Sequence, residues 1–131
     1  MKKRFSSKWI RSKQPRKQRK YRANAGIHIK HKFLGAKLSK EIRGKYAKKT
    51  VPVRTGDTVK IARGQFKGKT GKVEEVNIKD SKIYVTGIEV IKEEGTKTRY
   101  PIHASNVIIT NLNLDDKKRA NKLQNKEGKG R

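Results

Sequence analysis

The distribution of charge along the chain is the feature that most restricts how it can fold. Residues 1–50 contain 19 Lys and Arg side chains and a single acid, Glu41, out of a formal net charge of +26 for all 131 residues. Cations at this density repel one another, and the apolar residues among them are too few and too irregular to close a core. We therefore expect residues 1–50 to be a basic extension that becomes ordered against a polyanion.

The rest of the chain divides into two regions of lower charge. Residues 51–114 carry 11 basic and 7 acidic side chains, as an ordinary folded domain does, and residues 115–131 form a second basic segment with 7 basic and 3 acidic side chains. The low hydrophobic fraction, 31%, favours a small domain with extensions over a large core. Nucleic acid is the partner that such a charge favours. An acidic membrane surface is the competing partner, but neither a long amphipathic helix nor a lipidation signal accompanies the charge.

Several classes of protein are disfavoured by what the sequence lacks. Without cysteine there can be no disulfides, thiolate zinc sites or cysteine nucleophiles. No apolar run is long enough to span a bilayer, and the first residues do not resemble a secretory signal, so we expect a cytoplasmic protein. There is no Walker loop, no Ser, His and Asp arrangement and no pair of carboxylates with a plausible base. We expect no enzyme activity, no small-molecule substrate, no cofactor and no metal.

The extension and the tail contain weak signals for secondary structure. Good helix formers follow Pro15 and predict a helix over residues 15–23. A second helix is predicted from Ser39, because Leu38, Ile42 and Tyr46 are spaced four apart. Between these helices, the alternation of GIHIKHKFL indicates extended chain. In the tail, Asp115 and Asp116 precede several cations, an order that favours a short helix.

From residue 53 onward the hydrophobic period is two. Strands are predicted over residues 58–62, 69–79, 82–86, 98–102 and 106–109, with a bulge near Glu74 and Glu75 and a hairpin turn over residues 79–82. Short strands, glycine loops and no long helix indicate a mostly β fold with a small closed barrel over residues 51–114. The expected inward-facing residues are Val59, Ile61, Val73, Val76, Ile78, Ile83, Val85, Ile88, Val90, Tyr100, Ile102, Val107 and Ile109.

The most specific stretch is GDTVKIARGQFKGKTGKVEEV, residues 56–76. It is a strand, a glycine-containing loop and a second strand, with Gly64, Gly68 and Gly71 where a side chain would block a tight turn or a close backbone approach. Backbone N–H groups and nearby cations in such a loop suit an RNA phosphate backbone. The competing interpretation is that the glycines only build a barrel corner while the lysines are solvated.

Residues 59–73, VKIARGQFKGKTGKV, resemble a KOW motif, the signature of SH3-like barrels in ribosomal proteins and transcription elongation factors. Residues 26–57, GIHIKHKFLGAKLSKEIRGKYAKKTVPVRTGD, resemble the extension of the archaeal and eukaryotic KOW-containing large-subunit ribosomal protein. The resemblance extends from about Pro15 to Leu114. It implies an SH3-like barrel, binding to large-subunit ribosomal RNA beside neighbouring large-subunit proteins, early assembly and a position near the peptide exit tunnel.

We expect the RNA contacts to lie in the extension, at the start of the barrel and in the glycine loop. The residues expected to make them are Lys8, Trp9, Arg11, Lys13, Arg16, Lys17, Arg19, Lys20, Tyr21, Arg22, His28, Lys30, His31, Lys32, Arg43, Lys45, Arg54, Arg63, Gly64, Gln65, Lys67, Gly68 and Lys69.

The aromatic and histidine residues of the extension allow more than one interpretation. Trp9 is expected to contact the partner, whereas Phe33 and Tyr46 can either stack on unpaired bases or pack back on the barrel. The spacing of His28 and His31 also suits a metal, but no carboxylate cluster accompanies them, so phosphate or base contact is favoured.

Two other protein classes remain as alternatives. A transcription elongation factor also carries a KOW module, but it usually has a preceding α/β domain, which residues 1–50 are too short and too charged to supply. A small basic chromatin protein matches the charge, and only the motif favours RNA over DNA.

Overall fold

The computed structural model describes residues 5, 6, 8, 9 and 11–124, which form a mostly β structure with short helices. The helices are α1 (Pro15–Asn24), α2 (Ile27–Phe33), α3 (Lys40–Tyr46) and α4 (Lys117–Gln124). The strands are β1 (Gly35–Leu38), β2 (Thr50–Pro52), β3 (Thr58–Ile61), β4 (Thr70–Asn77), β5 (Lys82–Val85), β6 (Glu89–Ile91), β7 (Lys97–Arg99), β8 (Ile102–His103) and β9 (Val107–Asn111). The 3₁₀ turn Ala104–Asn106 joins β8 to β9. This confirms the predicted β content and the helical tail.

Seven strands form one sheet in the order β2-β1-β9-β3-β4-β5-β8, and β6 and β7 form a separate hairpin. β1 pairs with β2 in antiparallel and with β9 in parallel orientation, so it occupies the outer edge of β9. Within the described residues the end strands β2 and β8 are not paired with each other. The sheet is therefore open, and the predicted closure into a barrel is not observed.

The structure confirms two of the three predictions for secondary structure in the extension. α1 begins at Pro15, and α3 begins after Ser39 as its N-cap. The prediction of extended chain over GIHIKHKFL is wrong, because these residues form α2. The carbonyl of Gly26 accepts hydrogen bonds from the N–H groups of residues 29 and 30, and the half-buried Ile29 and Phe33 share one face at helical spacing.

The core lies on the inner face of the seven-stranded sheet and includes residues from the extension. Among the predicted core residues, Val59, Ile61, Val73, Ile83, Val85, Ile88, Ile102, Val107 and Ile109 are buried, while Val76 and Ile78 pack half-buried against them. Val90 and Tyr100 were predicted to be buried and are exposed. The reason is that residues 89–99 leave the main sheet as the β6–β7 hairpin. The extension contributes Leu34, Ala36, Leu38 and Tyr46 to this core.

The strand predictions after residue 58 are mostly confirmed, with one correction. The register of β4 against β5 shifts between Val73 and Glu75, which is the predicted bulge. The strand predicted over residues 98–102 is divided into β7 and β8, which flank Tyr100 and Pro101. Pro101 has no N–H group to donate to a ladder, so a break at this position is expected.

Candidate nucleic-acid interface

The loop between β3 and β4 is a tight, self-bonded turn whose tip is exposed. The N–H of Gly68 donates to the carbonyl of Ile61 at 2.8 Å, and the N–H of Lys67 donates to the carbonyl of Gly64 at 3.2 Å. Gly64 and Gly68 have φ angles of 101° and 92°, which side chains disfavour. The two glycines therefore allow the sharp turn that the sequence predicted.

The N–H groups at the tip of this loop are available to a ligand. Within the described part of the chain, those of residues 63–66 donate to no protein acceptor. The side chains of Arg63 and Lys67 beside them are exposed. Unused backbone donors flanked by cations form the type of surface that binds phosphate oxygens.

A side chain that the sequence analysis did not select anchors the loop. Phe66 packs half-buried against the core and contacts the ring of Tyr100 edge-on, with a centroid distance of 5.1 Å. The Nζ of Lys69 lies 5.1 Å from the centroid of Phe66. Phe66 thus fixes the base of the loop while the neighbouring cations project outward.

The extension places three aromatic rings together beside the cations of α1. The ring of Trp9 stacks on that of Tyr21 with centroids 4.7 Å apart, and the ring of Phe5 lies 4.4 Å from Tyr21. With Lys17 and Lys20 of α1, these rings line a groove of about 580 Å³. Flat apolar surfaces next to ammonium groups can receive bases and phosphates together.

A second groove lies where α2 meets the start of the main domain and the tail. Its charged and imidazole lining comprises His28, His31, Lys32, Arg54 and Lys122 with a single carboxylate, that of Glu75, and its volume is about 600 Å³. His28 and His31 project from α2 on the same side, three residues apart. Residues far apart in sequence therefore converge on one basic surface.

The tail helix is held in place by a buried ion pair. The guanidinium of Arg119 donates from Nη1 to Oδ1 of Asp57 at 2.6 Å and from Nη2 to Oδ2 at 2.7 Å, and both side chains are buried. Leu123, one turn after Arg119, is buried in the core. Lys118 and Lys122 lie on the adjacent face of α4 and, with Arg54, line a groove of about 290 Å³.

Asp116 is an acid that lies within this basic surface. It accepts a hydrogen bond from Nη1 of Arg54 at 2.5 Å and another from the N–H of Lys118 at 3.0 Å. The hydrogen bond from Arg54, and then that from the backbone of Lys118, lower the pKa of the Asp116 carboxyl. Asp116 thus remains ionised and caps the first turn of α4.

The predicted contact residues lie in six places. Lys8, Trp9, Arg11 and Lys13 precede α1; α1 carries Arg16, Lys17, Arg19, Lys20, Tyr21 and Arg22; α2 carries His28, Lys30, His31 and Lys32; α3 carries Arg43 and Lys45. Arg54 follows β2, and Arg63, Gly64, Gln65, Lys67, Gly68 and Lys69 form the loop. All are exposed except the half-buried Trp9, Tyr21 and Lys30.

The aromatic alternatives are resolved for Tyr46, which is buried in the core. Phe33 is half-buried, and the guanidinium of Arg22 lies 5.0 Å from its ring centroid. The described residues contain no group of three or more His, Asp or Glu side chains that could hold a metal ion. Nor is any helix of the described part long and apolar enough to cross a membrane.

Sequence reasoning missed the contribution of the tail to the basic surface. Lys118 and Lys122 are four residues apart, a spacing that places them on one face of a helix, while Arg119 and Leu123 share another. That pattern was present in the sequence. Which face of the helix is buried, however, depends on the contact of Arg119 with Asp57, 62 residues earlier. No local signal in the sequence connects these two residues.

Comparison with known proteins identifies the family. The curated protein "Large ribosomal subunit protein uL24" of Methanosarcina barkeri (strain Fusaro / DSM 804) is 47% identical to this chain over 113 residues, which are 86% of this chain and 97% of that protein. A family model that describes the eukaryotic ribosomal proteins L26 and their archaeal counterparts matches residues 12–126. Because this match covers most of the sequence, the chain belongs to this eukaryotic and archaeal L26 family of ribosomal proteins.

Proposed function

We propose that the chain is a structural, non-catalytic constituent of the large ribosomal subunit, where it binds large-subunit ribosomal RNA and contacts neighbouring ribosomal proteins. The observation that carries the proposal is the convergence of exposed cations from the extension and the tail with Arg54 on adjoining grooves, together with the exposed cations that flank the β3–β4 loop. Family membership supplies the identity of the polyanion. The cellular location is then the cytoplasmic ribosome, near the peptide exit tunnel, and the protein supports subunit assembly. Family membership does not favour the transcription elongation factor.

The mechanism is neutralisation of phosphates where RNA segments approach each other. Backbone N–H groups at the tip of the β3–β4 loop bind phosphate oxygens, and Arg63, Lys67 and Lys69 supply charge there. The groove that contains His28, His31, Lys32, Arg54 and Lys122 receives a second stretch of backbone. Trp9 and Tyr21 offer ring faces to unpaired bases. Contacts of this type determine where the protein lies on the RNA more than which base sequence it selects.

We further propose that the chain functions as a basic extension over residues 1–50, an SH3-like KOW barrel over residues 51–114 and a basic tail. The barrel is supported by the ribbon β9-β3-β4-β5-β8. Its two end strands, β8 and β9, are joined by only the 3₁₀ turn Ala104–Asn106, which brings the ends of the ribbon close together. The barrel stays open at that seam because β1 occupies the free edge of β9.

Binding of the full chain to large-subunit ribosomal RNA across a salt series tests the RNA contacts. Log affinity is expected to fall against log salt by roughly 0.7 to 0.9 per phosphate neutralised. The double variant Lys67→Ala/Lys69→Ala should make the slope shallower by about 1.4 to 1.8, because two phosphate contacts are lost. A nearly flat titration of the unmodified chain would contradict the proposed function.

The matched control is Lys92→Ala/Lys97→Ala, which removes the same charge from the β6–β7 hairpin. Both of its lysines are exposed, as the two loop lysines are. We expect this control to keep the salt slope of the unmodified chain. Equal slopes for the loop and hairpin variants would show that overall charge, and not the loop, determines binding.

A further inference from the structure

The groove in the extension is enclosed by one face of α1 and by the segment that precedes the helix. The helix contributes four residues at the i, i+3, i+4 and i+7 positions of a single face, Lys17, Lys20, Tyr21 and Asn24. The preceding segment contributes Phe5, Lys8 and Trp9. A hydrogen bond of 3.0 Å from Nε2 of Gln18 to the carbonyl of Ser12 joins this segment to α1. The volume, about 580 Å³, is within the range of about 300 to 1,000 Å³ that is usual for small-ligand sites.

The rings in this groove leave a flat apolar surface open. Tyr21 contacts both other rings, with its centroid 4.4 Å from that of Phe5 and 4.7 Å from that of Trp9. Trp9 stacks on Tyr21 with 21° between the ring planes, and among the described residues no other ring or cation contacts the indole. Because Trp9 lines the groove and is only half-buried, the second face of its indole is accessible from the groove. An unpaired base is a flat ring that stacks on such a face.

The charge of the groove disfavours a cationic ligand. Lys8, Lys17 and Lys20 supply three ammonium groups, and residues 1–40 contain no Asp or Glu that could neutralise them. Aromatic cages for methylated ammonium groups place ring faces around a positive charge, and three lysines beside the rings would repel such a ligand. A ligand that combines a flat ring with negative charge meets both requirements, and a nucleotide is a ligand of this kind.

Asn24 gives the groove a group that can bond the edge of a base. It is exposed, and its side-chain amide makes no hydrogen bond within the described residues. An amide has two N–H donors and a carbonyl acceptor, a combination that matches the donors and acceptors on base edges. Asn24 lies about one turn after Lys20 and Tyr21, so its side chain is on the face of α1 that the rings and lysines occupy.

We propose that this groove is a binding site for one unstacked nucleotide of large-subunit ribosomal RNA. The base stacks on the indole of Trp9, the amide of Asn24 bonds the edge of the base, and Lys17 and Lys20 contact the phosphates on either side. The proposal deepens the proposed function and rests on it, because that function supplies the RNA. It assigns a single nucleotide, and a group that bonds its base, to rings that the proposed function associates with unpaired bases in general.

The fluorescence of Trp9 reports on this groove alone, because it is the only tryptophan of the chain. The full chain is titrated with large-subunit ribosomal RNA and, separately, with heparin, a polyanion without bases. We expect the RNA to quench the fluorescence several-fold, since a base stacks on the indole, and heparin to leave most of it. Equal quenching by the two polyanions, or none by the RNA, would overturn the inference. Equal quenching by free adenosine monophosphate at the same molar concentration would overturn it too, by assigning the groove to a free nucleotide.

Substitutions in the groove separate stacking from charge. Trp9→Leu should weaken binding of the RNA by about 5- to 150-fold, the contribution of one stacked base, and should keep the salt slope because no cation is lost. Lys17→Ala/Lys20→Ala should instead make the slope shallower. Trp9→Phe keeps an aromatic ring and should retain most of the affinity. Unchanged affinity for Trp9→Leu, or an equal loss for Trp9→Phe, would overturn the stacking role.

Asn24→Ala tests the bond to the base edge. It should weaken binding several-fold at an unchanged salt slope, whereas the matched control Gln14→Ala, which removes an exposed amide outside the groove, should not weaken it. Equal affinities for the two variants would overturn the role of Asn24. Failure of the proposed function has a different result, because the unmodified chain would then show a nearly flat salt titration.

Discussion

Asp57 and Arg119 are 62 residues apart in sequence and form a bidentate ion pair in the interior of the molecule. The Asp57 carboxylate also accepts hydrogen bonds from the backbone N–H groups of Arg54 and Asn113, and the Arg119 guanidinium donates to the carbonyls of Pro52 and Asn113. Both carboxylate oxygens and both Nη atoms of the pair thus have partners, as burial requires. The pair fixes the tail helix against the entry to β3.

We expect Arg119→Met to lower the free energy of unfolding by about 3 to 5 kcal/mol, because it leaves the Asp57 carboxylate buried without its cation. Urea denaturation followed by circular dichroism measures the change. The control is Lys118→Met, which removes an exposed cation from the same helix and should alter stability by less than about 0.5 kcal/mol. Equal midpoints for the two variants would show that the ion pair does not hold the fold together.

Local sequence patterns were sufficient to predict those elements whose determining residues lie in the element itself or directly beside it. The helix after Pro15, the bulge near Glu74 and the buried strand residues of the KOW region were predicted in this way. The exposed residues of the β3–β4 loop were also predicted, because glycines and cations are neighbours in that stretch of the sequence. These features depend on the residues next to them and on little else.

The features that were missed depend on distant partners. β1 has only four residues, and its burial follows from pairing with β2 and β9, the latter about 70 residues later. The alternation of Ile27 and Ile29 indicated a strand, yet no strand of residues 11–124 pairs with this segment, and it forms a helix. The exposure of Val90 and Tyr100 likewise follows from the hairpin leaving the sheet. Tertiary pairing decided each of these cases.

Gly71 and Gly44 are expected to respond oppositely to alanine. A Cβ atom at Gly71 would lie 2.6 Å from Cγ1 of Val85 and 2.7 Å from the carbonyl oxygen of Thr86, so Gly71→Ala should destabilise the fold by about 1 to 3 kcal/mol. A Cβ atom at Gly44, in α3, has no atom within 4 Å, so Gly44→Ala should stabilise it by about 0.5 to 1 kcal/mol. Urea midpoints provide the measurement, and a stabilised Gly71→Ala would refute the close approach.

His103 should make stability depend on pH. Burial lowers the pKa of its imidazole below the ordinary value of 6.5, and the charges of Lys82 and Arg22 lower it further. Its Nδ1 accepts a hydrogen bond from the N–H of Ser105 at 3.2 Å, which protonation would abolish. Because the unfolded chain takes up the proton at a higher pH than the folded chain, this contribution to stability is complete above about pH 6.5 and declines as the pH falls below it.

The expected loss between pH 7.5 and pH 5.5 is less than about 1 kcal/mol, since the ring is only partly buried. It is measured as the shift of the urea midpoint. His103→Gln should flatten the profile. A profile unaffected by His103→Gln would assign the pH dependence to other groups.

Two N-terminal truncations should separate the part of the extension that binds from the part that folds. A chain that begins at residue 34 lacks 13 of the 37 cations but keeps β1, so it should unfold cooperatively and bind ribosomal RNA more weakly. A chain that begins at residue 51 loses β1 and exposes the core beneath Leu34, Leu38 and Tyr46. At about 1.5 to 3 kcal/mol for each large side chain, that loss is comparable with the whole stability of a small domain. Circular dichroism with urea denaturation distinguishes the two chains, and equal midpoints would show that β1 contributes to RNA binding alone.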